Sequence, residues 1–254
     1  MIYRSCWVAC FDLLGFRKKV DRNQLSFVLE DYREVLAAIK KETHGDVRKR
    51  WFSDTFLFYL LDDSKESFLA MDSYCRRFFR RMILKRIPLR GSLTTGKFYA
   101  ESDDILIGPA LVEAYDYAER QDWLGFTLTP GAREQLKRYE TDGKTVYDVL
   151  SQHYYQDYDV PIKSGRQSES CQTENLPAYT MNLIRFAHGN QYMDEARCIW
   201  DAVVDMEEQS AMNESQDQQG LEETCMWKNE AETVRRKYEN TKNFLLNTVP
   251  GLAE

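Results

Sequence analysis

The chain has 254 residues, a formal net charge of −7 and 30% charged residues, so it is long enough to bury a full core. Its acidic balance argues against nucleic acid as a partner, because nucleic-acid binding depends on a basic surface. No window approaches the roughly 18 uninterrupted apolar residues of a membrane span, and the first residues lack a secretory signal pattern. Six cysteines without metal-finger spacing favour a reducing, cytoplasmic location, and three isolated histidines disfavour a histidine-based metal site or catalytic triad.

The first predicted elements place two aspartates in apolar surroundings. Residues 3–16 predict a buried strand that carries Asp12, and residues 21–43 have the apolar spacing of an amphipathic helix. Residues 47–61 are rich in aromatic side chains and predict two strands joined by a tight turn that holds Asp54. Because burying an isolated carboxylate costs free energy, each aspartate needs a cation or hydrogen bonds.

Two aspartates at neighbouring strand ends favour a shared site for phosphate chemistry. Mg²⁺ is commonly held by one or two carboxylates together with substrate phosphate oxygens. Two ions about 3.5–4 Å apart can contact both the attacking and the leaving oxygen of a displacement at phosphorus. The alternative, that each aspartate simply occupies a turn, remains open on this pattern alone.

The rest of the chain continues the alternation of strands and helices. A helix predicted at 64–86 precedes a strand at 88–99, which carries Arg90 and Lys97 among apolar neighbours. This order predicts an α+β fold, with an antiparallel or mixed sheet and helices on one face. The later predictions are a helix at 110–122, a strand at 124–130, a helix at 132–139, strands at 154–163 and 178–186 around a polar loop at 164–175, and helices at 194–212 and 221–248 joined by a turn at 213–220. We expect residues 1–190 to form the main domain and residues 191–254 a helical extension.

Five short motifs, in this order, resemble the class III nucleotide cyclase catalytic domain. They are Phe-Asp-Leu-Leu-Gly-Phe at 11–16, Ser-Asp at 53–54, Leu-Arg-Gly-Ser-Leu-Thr-Thr-Gly at 89–96, Ile-Gly-Pro-Ala-Leu-Val-Glu-Ala-Tyr at 107–115 and Gly-Phe-Thr-Leu-Thr-Pro at 125–130. Within that superfamily the chain is similar to the bacterial pyrimidine cyclases of the Pycsar antiphage system. The likeness covers roughly residues 3–130, and the run 235–246 resembles the closing helix of those relatives.

The resemblance implies a ferredoxin-type sandwich and a set of site residues. Asp12, Asp54 and the backbone carbonyl of Leu13 correspond to the ligands of two ions, Mg²⁺ or Mn²⁺, in each site. Arg90 corresponds to an arginine that contacts the triphosphate. Arg50 lies where purine cyclases have a base-reading lysine, and the planar fork of its guanidinium suits pyrimidine carbonyl oxygens.

The chain also departs from the purine cyclases. Their asparagine and arginine, four residues apart on the helix at 110–122, position the ribose and stabilise the developing charge on phosphate. The matching positions here are Val112 or Glu113 and Asp116 or Tyr117. Arg120, or another basic residue, is then expected to supply the charge, and Lys97 is a further candidate phosphate contact.

The implied activity is that of a phosphorus-oxygen lyase. It would convert a pyrimidine nucleoside triphosphate, UTP before CTP, to the 3′,5′-cyclic nucleotide and pyrophosphate, as a second messenger in antiphage defence. The resemblance also implies a homodimer with active sites at the interface and a separate effector protein that binds the cyclic nucleotide. A catalytically degenerate nucleotide-binding or regulatory module remains the alternative. A diguanylate-type nucleotidyl transferase is disfavoured because the hairpin at 51–54 lacks the Gly-Gly-Asp/Glu-Glu/Asp-Phe motif.

Overall fold

The computed structural model describes residues 4–21, 25–43, 45–101, 105–141, 143–163, 172–181, 190–218, 225–249 and 251–252. The strands are β1 (Arg4–Leu13), β2 (Arg48–Phe52), β3 (Thr55–Leu60), β4 (Leu89–Glu101), β5 (Ile105–Ile107), β6 (Phe126–Leu128), β7 (Glu140–Thr141), β8 (Lys144–Thr145), β9 (Tyr155–Ile162) and β10 (Gln172–Tyr179). The helices are α1 (Phe16–Asp21), α2 (Leu25–Glu42), α3 (Lys65–Leu84), α4 (Pro109–Arg120), α5 (Pro130–Leu136), α6 (Val146–His153), α7 (Asn190–Gln218) and α8 (Cys225–Thr248).

One large sheet organises the chain, with strand order β2-β3-β1-β4-β6-β10-β9 and with β5 paired to the outer part of β4. The pairing of β4 with β6 is parallel, whereas β1 is antiparallel to both β3 and β4. The strands β7 and β8 form a separate small hairpin. These pairings confirm the predicted α+β class with a mixed sheet.

Helices cover the sheet from both sides, so the prediction of helices on one face is wrong, and the central strand β1 is buried on both faces. On one face the ring of Phe11 packs edge-on against Phe78 of α3, with centroids 5.1 Å apart. On the other face, Ser92 of β4 donates a 2.6 Å hydrogen bond to the carbonyl oxygen of Ala114 in α4. Side chains alternate along a strand, so Asp12 lies on the face that α4 covers, at the end of the sheet.

Local sequence signals account for several helix ends. The N-cap of α3 is Ser64, whose hydroxyl accepts a 3.2 Å hydrogen bond from the backbone N–H of Ser67. Pro109 occupies the first turn of α4, as the sequence predicts, because a missing N–H costs nothing there. In the part of the chain that the structure describes, no helix combines the length and apolarity that crossing a membrane requires.

The strand and helix boundaries differ from the sequence predictions in the second half of the chain. β10 begins at Gln172, inside the segment predicted as a loop, because pairing with β9 extends the ladder into polar residues. The helix α7 continues to Gln218, through most of the predicted turn, since neither Gly nor Pro occurs before Gly220. Residues 164–171 and 182–186, which complete the predicted loop and strand, lie outside the described residues.

Two short helices are also absent from the predictions. The helix α6 begins with a capping box, in which Thr145 and the backbone and side chain of Asp148 hydrogen-bond reciprocally. The helix α1 directly follows the turn after β1, while the predicted long helix begins at Leu25 rather than at Asp21. Both helices are too short for apolar periodicity to reveal them.

Candidate active site

The core of the site is an ion pair between neighbouring strands. Asp12 near the end of β1 lies opposite Arg90 of β4 in the strand register. The Nε and Nη2 atoms of Arg90 both donate to Oδ2 of Asp12, at 2.8 and 2.5 Å, and Nη1 donates to the carbonyl oxygen of Gln121 at 2.6 Å. The arginine is 4% exposed, so this bonding supplies the compensation that a buried cation requires.

A glycine allows the strands to pack closely at this point. A Cβ atom added to Gly91 would come within 2.2 Å of the ring of Phe11. Phe11 and Gly91 are opposite one another in the register of β1 and β4, next to the Asp12–Arg90 pair. The glycine therefore lets a large aromatic ring fill the space directly behind the ion pair.

The second aspartate, Asp54, is held against the end of β1. It forms with Ser53 the two-residue connection between β2 and β3, and Ser53 adopts a left-handed conformation with φ of 53°. The carbonyl oxygen of Asp54 accepts a 2.8 Å hydrogen bond from the backbone N–H of Leu13. The hairpin tip thus meets the end of the first strand, where the sequence predicted it.

The charge of Asp54 acts on the carboxyl group of Asp12. Burial raises the pKa of Asp12, the charge and hydrogen bonds of Arg90 oppose that rise, and the nearby negative charge of Asp54 adds to it. Both hydrogen bonds from Arg90 go to Oδ2, and among the described residues no hydrogen-bond donor contacts Oδ1. This carboxylate oxygen is consequently left for another cation.

These residues fit a hard divalent cation that arrives with its substrate. Two carboxylates and the backbone carbonyl of Leu13 supply only oxygen donors, the type that Mg²⁺ and Mn²⁺ prefer. Among the described residues no group of three or more His, Cys, Asp or Glu side chains gathers into a self-contained metal site. The donor set therefore suits an ion completed by water and phosphate oxygens rather than one enclosed by protein.

A cleft of about 560 Å³ opens beside Asp54. The turn after β1 forms one wall, and this turn depends on the left-handed conformation of Gly15, with φ of 70°. The helix α8 forms another wall. The lining residues are Leu13, Leu14, Gly15, Phe16, Arg17, Asp21, Asp54, Pro88, Leu124, Ser210, Val234, Lys237, Tyr238.

Two lysines near these groups were not identified from the sequence. Lys163 follows β9, and its backbone N–H donates to the carbonyl oxygen of Arg120 at 2.8 Å. Its pKa is lowered, first by burial and then by the positive charge of Arg90, while Glu119 and Asp12 raise it. Lys237 of α8 lines the cleft, and burial lowers its pKa to about 8. Lys163 belongs to no motif, and Lys237 lies in the run 235–246 that resembles a closing helix, but the sequence assigned neither lysine a role in the site.

Of the predicted site residues, Leu13 and Asp54 line this cleft, whereas the Asp12–Arg90 pair, Arg50, Lys97 and Arg120 do not. Arg50 is on the edge strand β2, where its Nη1 donates to the carbonyl oxygen of Lys49 at 2.8 Å. Lys97 is exposed on β4 and lies opposite Ser5, near the other end of β1 from Asp12. The prediction that each contacts substrate therefore remains a prediction.

Arg120 lies in the last turn of α4, where it pairs with the carboxylate of Glu174 and stacks 3.8 Å from the ring centroid of Tyr117. It borders a second, open groove of about 660 Å³ on the outer surface of α4. The residues at the positions of the purine cyclase asparagine and arginine line this same groove, and these are Val112, Glu113, Asp116, Tyr117. The predicted role of Arg120 in charge stabilisation is not tested by this arrangement.

Neither protein-family models nor curated proteins match this chain. Among solved structures, it is similar to the catalytic core of a rhodopsin-guanylyl cyclase with converted specificity in complex with ATPαS, at 13% identity and a TM-score of 0.47, over 70% of this chain and 96% of that one. An adenylate/guanylate cyclase/hydrolase from Silicibacter pomeroyi is similar at 13% identity and a TM-score of 0.44, over 70% and 98% of the two chains. The monomeric guanylyl cyclase domain of the RhoGC fusion protein from the aquatic fungus Blastocladiella emersonii is similar at 14% identity and a TM-score of 0.43, over 61% of this chain and 91% of that one. At these identities and scores, the likeness carries no argument about function.

Proposed function

We propose that the chain is a metal-dependent nucleotide cyclase that acts on a pyrimidine nucleoside triphosphate, UTP before CTP. The observation that carries the proposal is the meeting of Asp12 and Asp54 at one end of the sheet, with Arg90 bonded to Asp12 and the charge of Lys163 acting on Asp12. Two carboxylates for metal and two cations for phosphate, beside a cleft of about 560 Å³, form a set suited to a triphosphate. The order of the sequence motifs supports the same reaction class.

In this reaction the ribose 3′-oxygen attacks the α-phosphorus. A bond forms between these two atoms, the bond from the α-phosphorus to the bridging oxygen breaks, and pyrophosphate leaves. Asp12, Asp54 and the carbonyl of Leu13 would hold the two ions, which when bound would favour loss of the 3′-hydroxyl proton and neutralise phosphate charge. The proton passes to water or to a phosphate oxygen of the substrate. Arg90 and Lys163 stabilise the charge that builds up on the leaving pyrophosphate. No protein nucleophile is needed, which agrees with the scarcity of histidine.

We further propose that the active unit is a symmetric homodimer. The open groove on α4 and the strand before it expose large apolar side chains, including Ile105, Ile107, Val112 and Tyr115, at 43–58% exposure. Exposed apolar surface of this kind is typical of protein interfaces. In such a dimer Arg50 would contact the base and Arg120 would supply positive charge across the interface.

The product would act in the cytoplasm, in antiphage defence, on a separate effector protein. The division into residues 1–190 and 191–254 is part of the same proposal.

The competing candidate is a catalytically degenerate nucleotide-binding module of the same fold. The observation that favours it is the absence of the asparagine and arginine pair from α4, where the groove has Glu113 and Asp116 instead. Negative charge beside a developing phosphate anion would oppose catalysis. A binding module would hold the nucleotide without producing a cyclic product.

The two candidates are separated by incubating the purified protein with each of the four ribonucleoside triphosphates and Mg²⁺ or Mn²⁺. Mass spectrometry would identify any cyclic product, with Asp12→Asn and Asp54→Asn as test variants and Asp205→Asn, at a surface pair with Arg86, as the matched control. We expect cyclic UMP or cyclic CMP from the wild type and the control only. Nucleotide binding without product in any arm would establish the binding module instead.

A further inference from the structure

The C-terminal helix α8 is fixed to the segment that connects α4 with β6. Asn240 donates to the carbonyl oxygen of Asp122 at 2.8 Å, and the hydroxyl of Thr241 accepts a 2.8 Å hydrogen bond from the backbone N–H of Leu124. The ring of Phe244 packs edge-on against Trp123, with centroids 4.7 Å apart. This anchored helix brings Lys237 to the wall of the cleft beside Asp54.

Lys237 is buried without a close partner in the described part of the chain. Its side chain is 11% exposed, and its Nζ lies 3.4 Å from the carbonyl oxygen of Thr233 and 3.8 Å from Oδ1 of Asp122. Charge-assisted hydrogen bonds to an ammonium are normally about 2.7–2.9 Å long. Oδ1 of Asp122 is itself buried without a hydrogen bond, whereas Oδ2 is bonded to Nε of Arg236. Arg236 thus already forms an ion pair with Asp122, so the positive charge of Lys237 is poorly compensated.

Like charges surround this lysine. Burial has the largest effect on the pKa of Lys237 and lowers it, the charge of Asp122 comes next and raises it, and the charges of Arg90, Lys163 and Arg236 lower it further. Keeping several cations close together costs free energy unless anions join them. The substrate of the proposed reaction carries a triphosphate, whose negative charges would relieve this repulsion.

We propose that Lys237 binds the phosphate chain of the substrate directly, as a third cation beside Arg90 and Lys163 that is supplied by the C-terminal helix. This inference rests on the proposed function and adds a substrate contact to the same site. It follows that the phosphate site is complete only when α8 is docked on residues 121–124. The C-terminal extension is then part of the binding machinery rather than an appendage.

The test compares Lys237→Met with Lys242→Met. Methionine keeps an unbranched stem without the charge, and Lys242 is on the same helix but pairs with Glu207 of α7 instead of lining the cleft. Inorganic tripolyphosphate with Mg²⁺ serves as the probe, with binding followed by isothermal titration calorimetry. We expect Lys237→Met to weaken binding about tenfold to a hundredfold, as for loss of a charged hydrogen bond, and Lys242→Met to leave it unchanged.

Kinetics on the triphosphate that gives product would add a second measure. Lys237→Met should raise KM more than it lowers kcat, and Lys237→Arg, which retains the charge, should recover part of the affinity. Equal tripolyphosphate affinity of the wild type and Lys237→Met would overturn this inference while the product assay still supported the cyclase. No binding by the wild type would also overturn it, and the proposed function would fall with it only if no cyclic product formed.

A labelling experiment on the wild-type protein removes any dependence on variant folding. Limiting acetic anhydride acetylates accessible lysine amines, and peptide mass spectrometry measures the extent at each lysine. We expect tripolyphosphate with Mg²⁺ to reduce acetylation of Lys237 several-fold and to leave Lys242 unaffected. Equal acetylation of Lys237 with and without tripolyphosphate would contradict a direct contact.

Discussion

The sheet-borne and helix-borne parts of the candidate site are built differently. Asp12 and Arg90 are fixed by the register of adjacent strands, buried and joined by two short hydrogen bonds. Lys237 and Arg120 are carried by helices, and the first has only long polar contacts while the second is partly exposed. The sheet thus supplies a rigid, prearranged centre for chemistry, whereas the helices supply groups whose roles depend on substrate or on a partner subunit.

The largest expected effect on stability is a difference between substitutions of Asp12 and of Asp54. Asp12→Asn would remove the negative partner of a buried arginine, so we expect the free energy of unfolding to fall by about 3–5 kcal/mol. Asp54→Asn changes a turn residue that forms no such pair with any residue the structure describes, and we expect the free energy of unfolding to fall by less than about 1 kcal/mol. Urea denaturation of both variants measures this difference. Equal losses of stability would show that the Asp12–Arg90 pair does not hold the sheet-borne centre together.

The next largest effect is the contribution of Lys237 to the pH dependence of the free energy of unfolding. Its pKa is lowered to about 8 in the folded chain, so between about pH 8 and the usual lysine range the unfolded chain binds more protons. The free energy of unfolding of the wild type relative to Lys237→Met should therefore rise over that range, by up to about 3 kcal/mol. Thermal or urea unfolding of both proteins between pH 7 and 10 measures it. If the free energies of unfolding of the wild type and Lys237→Met differed by the same amount at every pH, the surroundings of Lys237 would not lower its pKa.

A pair of glycine substitutions tests the packing of the sheet-borne part. A Cβ atom at Gly91 would overlap the ring of Phe11, whereas one at Gly96 would lie 3.5 Å from Ala110 in ordinary contact. We expect Gly91→Ala to destabilise the chain by about 1–3 kcal/mol, and Gly96→Ala to have a smaller effect. Chemical denaturation of the two variants provides the comparison. Equal losses of stability in both variants would show that close packing against Phe11 is not the reason for a glycine at position 91.

The smallest expected effect on stability is that of Arg120→Met. Its pair with Glu174 is partly exposed, with side chains at 38% and 29%, so we expect less than about 1 kcal/mol. If Arg120 supplies charge to the reaction, kcat should nevertheless fall by about a hundredfold or more. Steady-state kinetics beside denaturation separates the two effects. An unchanged kcat would assign the charge to another residue.

The positions of Asp12 and Asp54 at neighbouring strand ends could be predicted from the sequence, while the Asp12–Arg90 ion pair and much of the helix-borne part could not. Asp12, Asp54 and Arg90 each stand in an apolar strand-like run, where a charged residue is conspicuous and the short-range pattern fixes its place. Lys163 and Lys237 approach the site through contacts between segments far apart in the chain. The run 235–246 around Lys237 resembled a closing helix, but that resemblance did not place the lysine at the cleft. The helix α6 and the early start of β10 were missed for a related reason, since local capping and cross-strand pairing outweigh composition there.

Cyclase activity is tested most directly by following the turnover of UTP, and then CTP, by phosphorus NMR with Mg²⁺ or Mn²⁺. Cyclisation releases one pyrophosphate for each 3′,5′-cyclic nucleotide. We expect these two products in equal amounts from the wild type and neither from Asp54→Asn. Formation of the nucleoside diphosphate and orthophosphate, or no turnover of any triphosphate, would contradict cyclase activity.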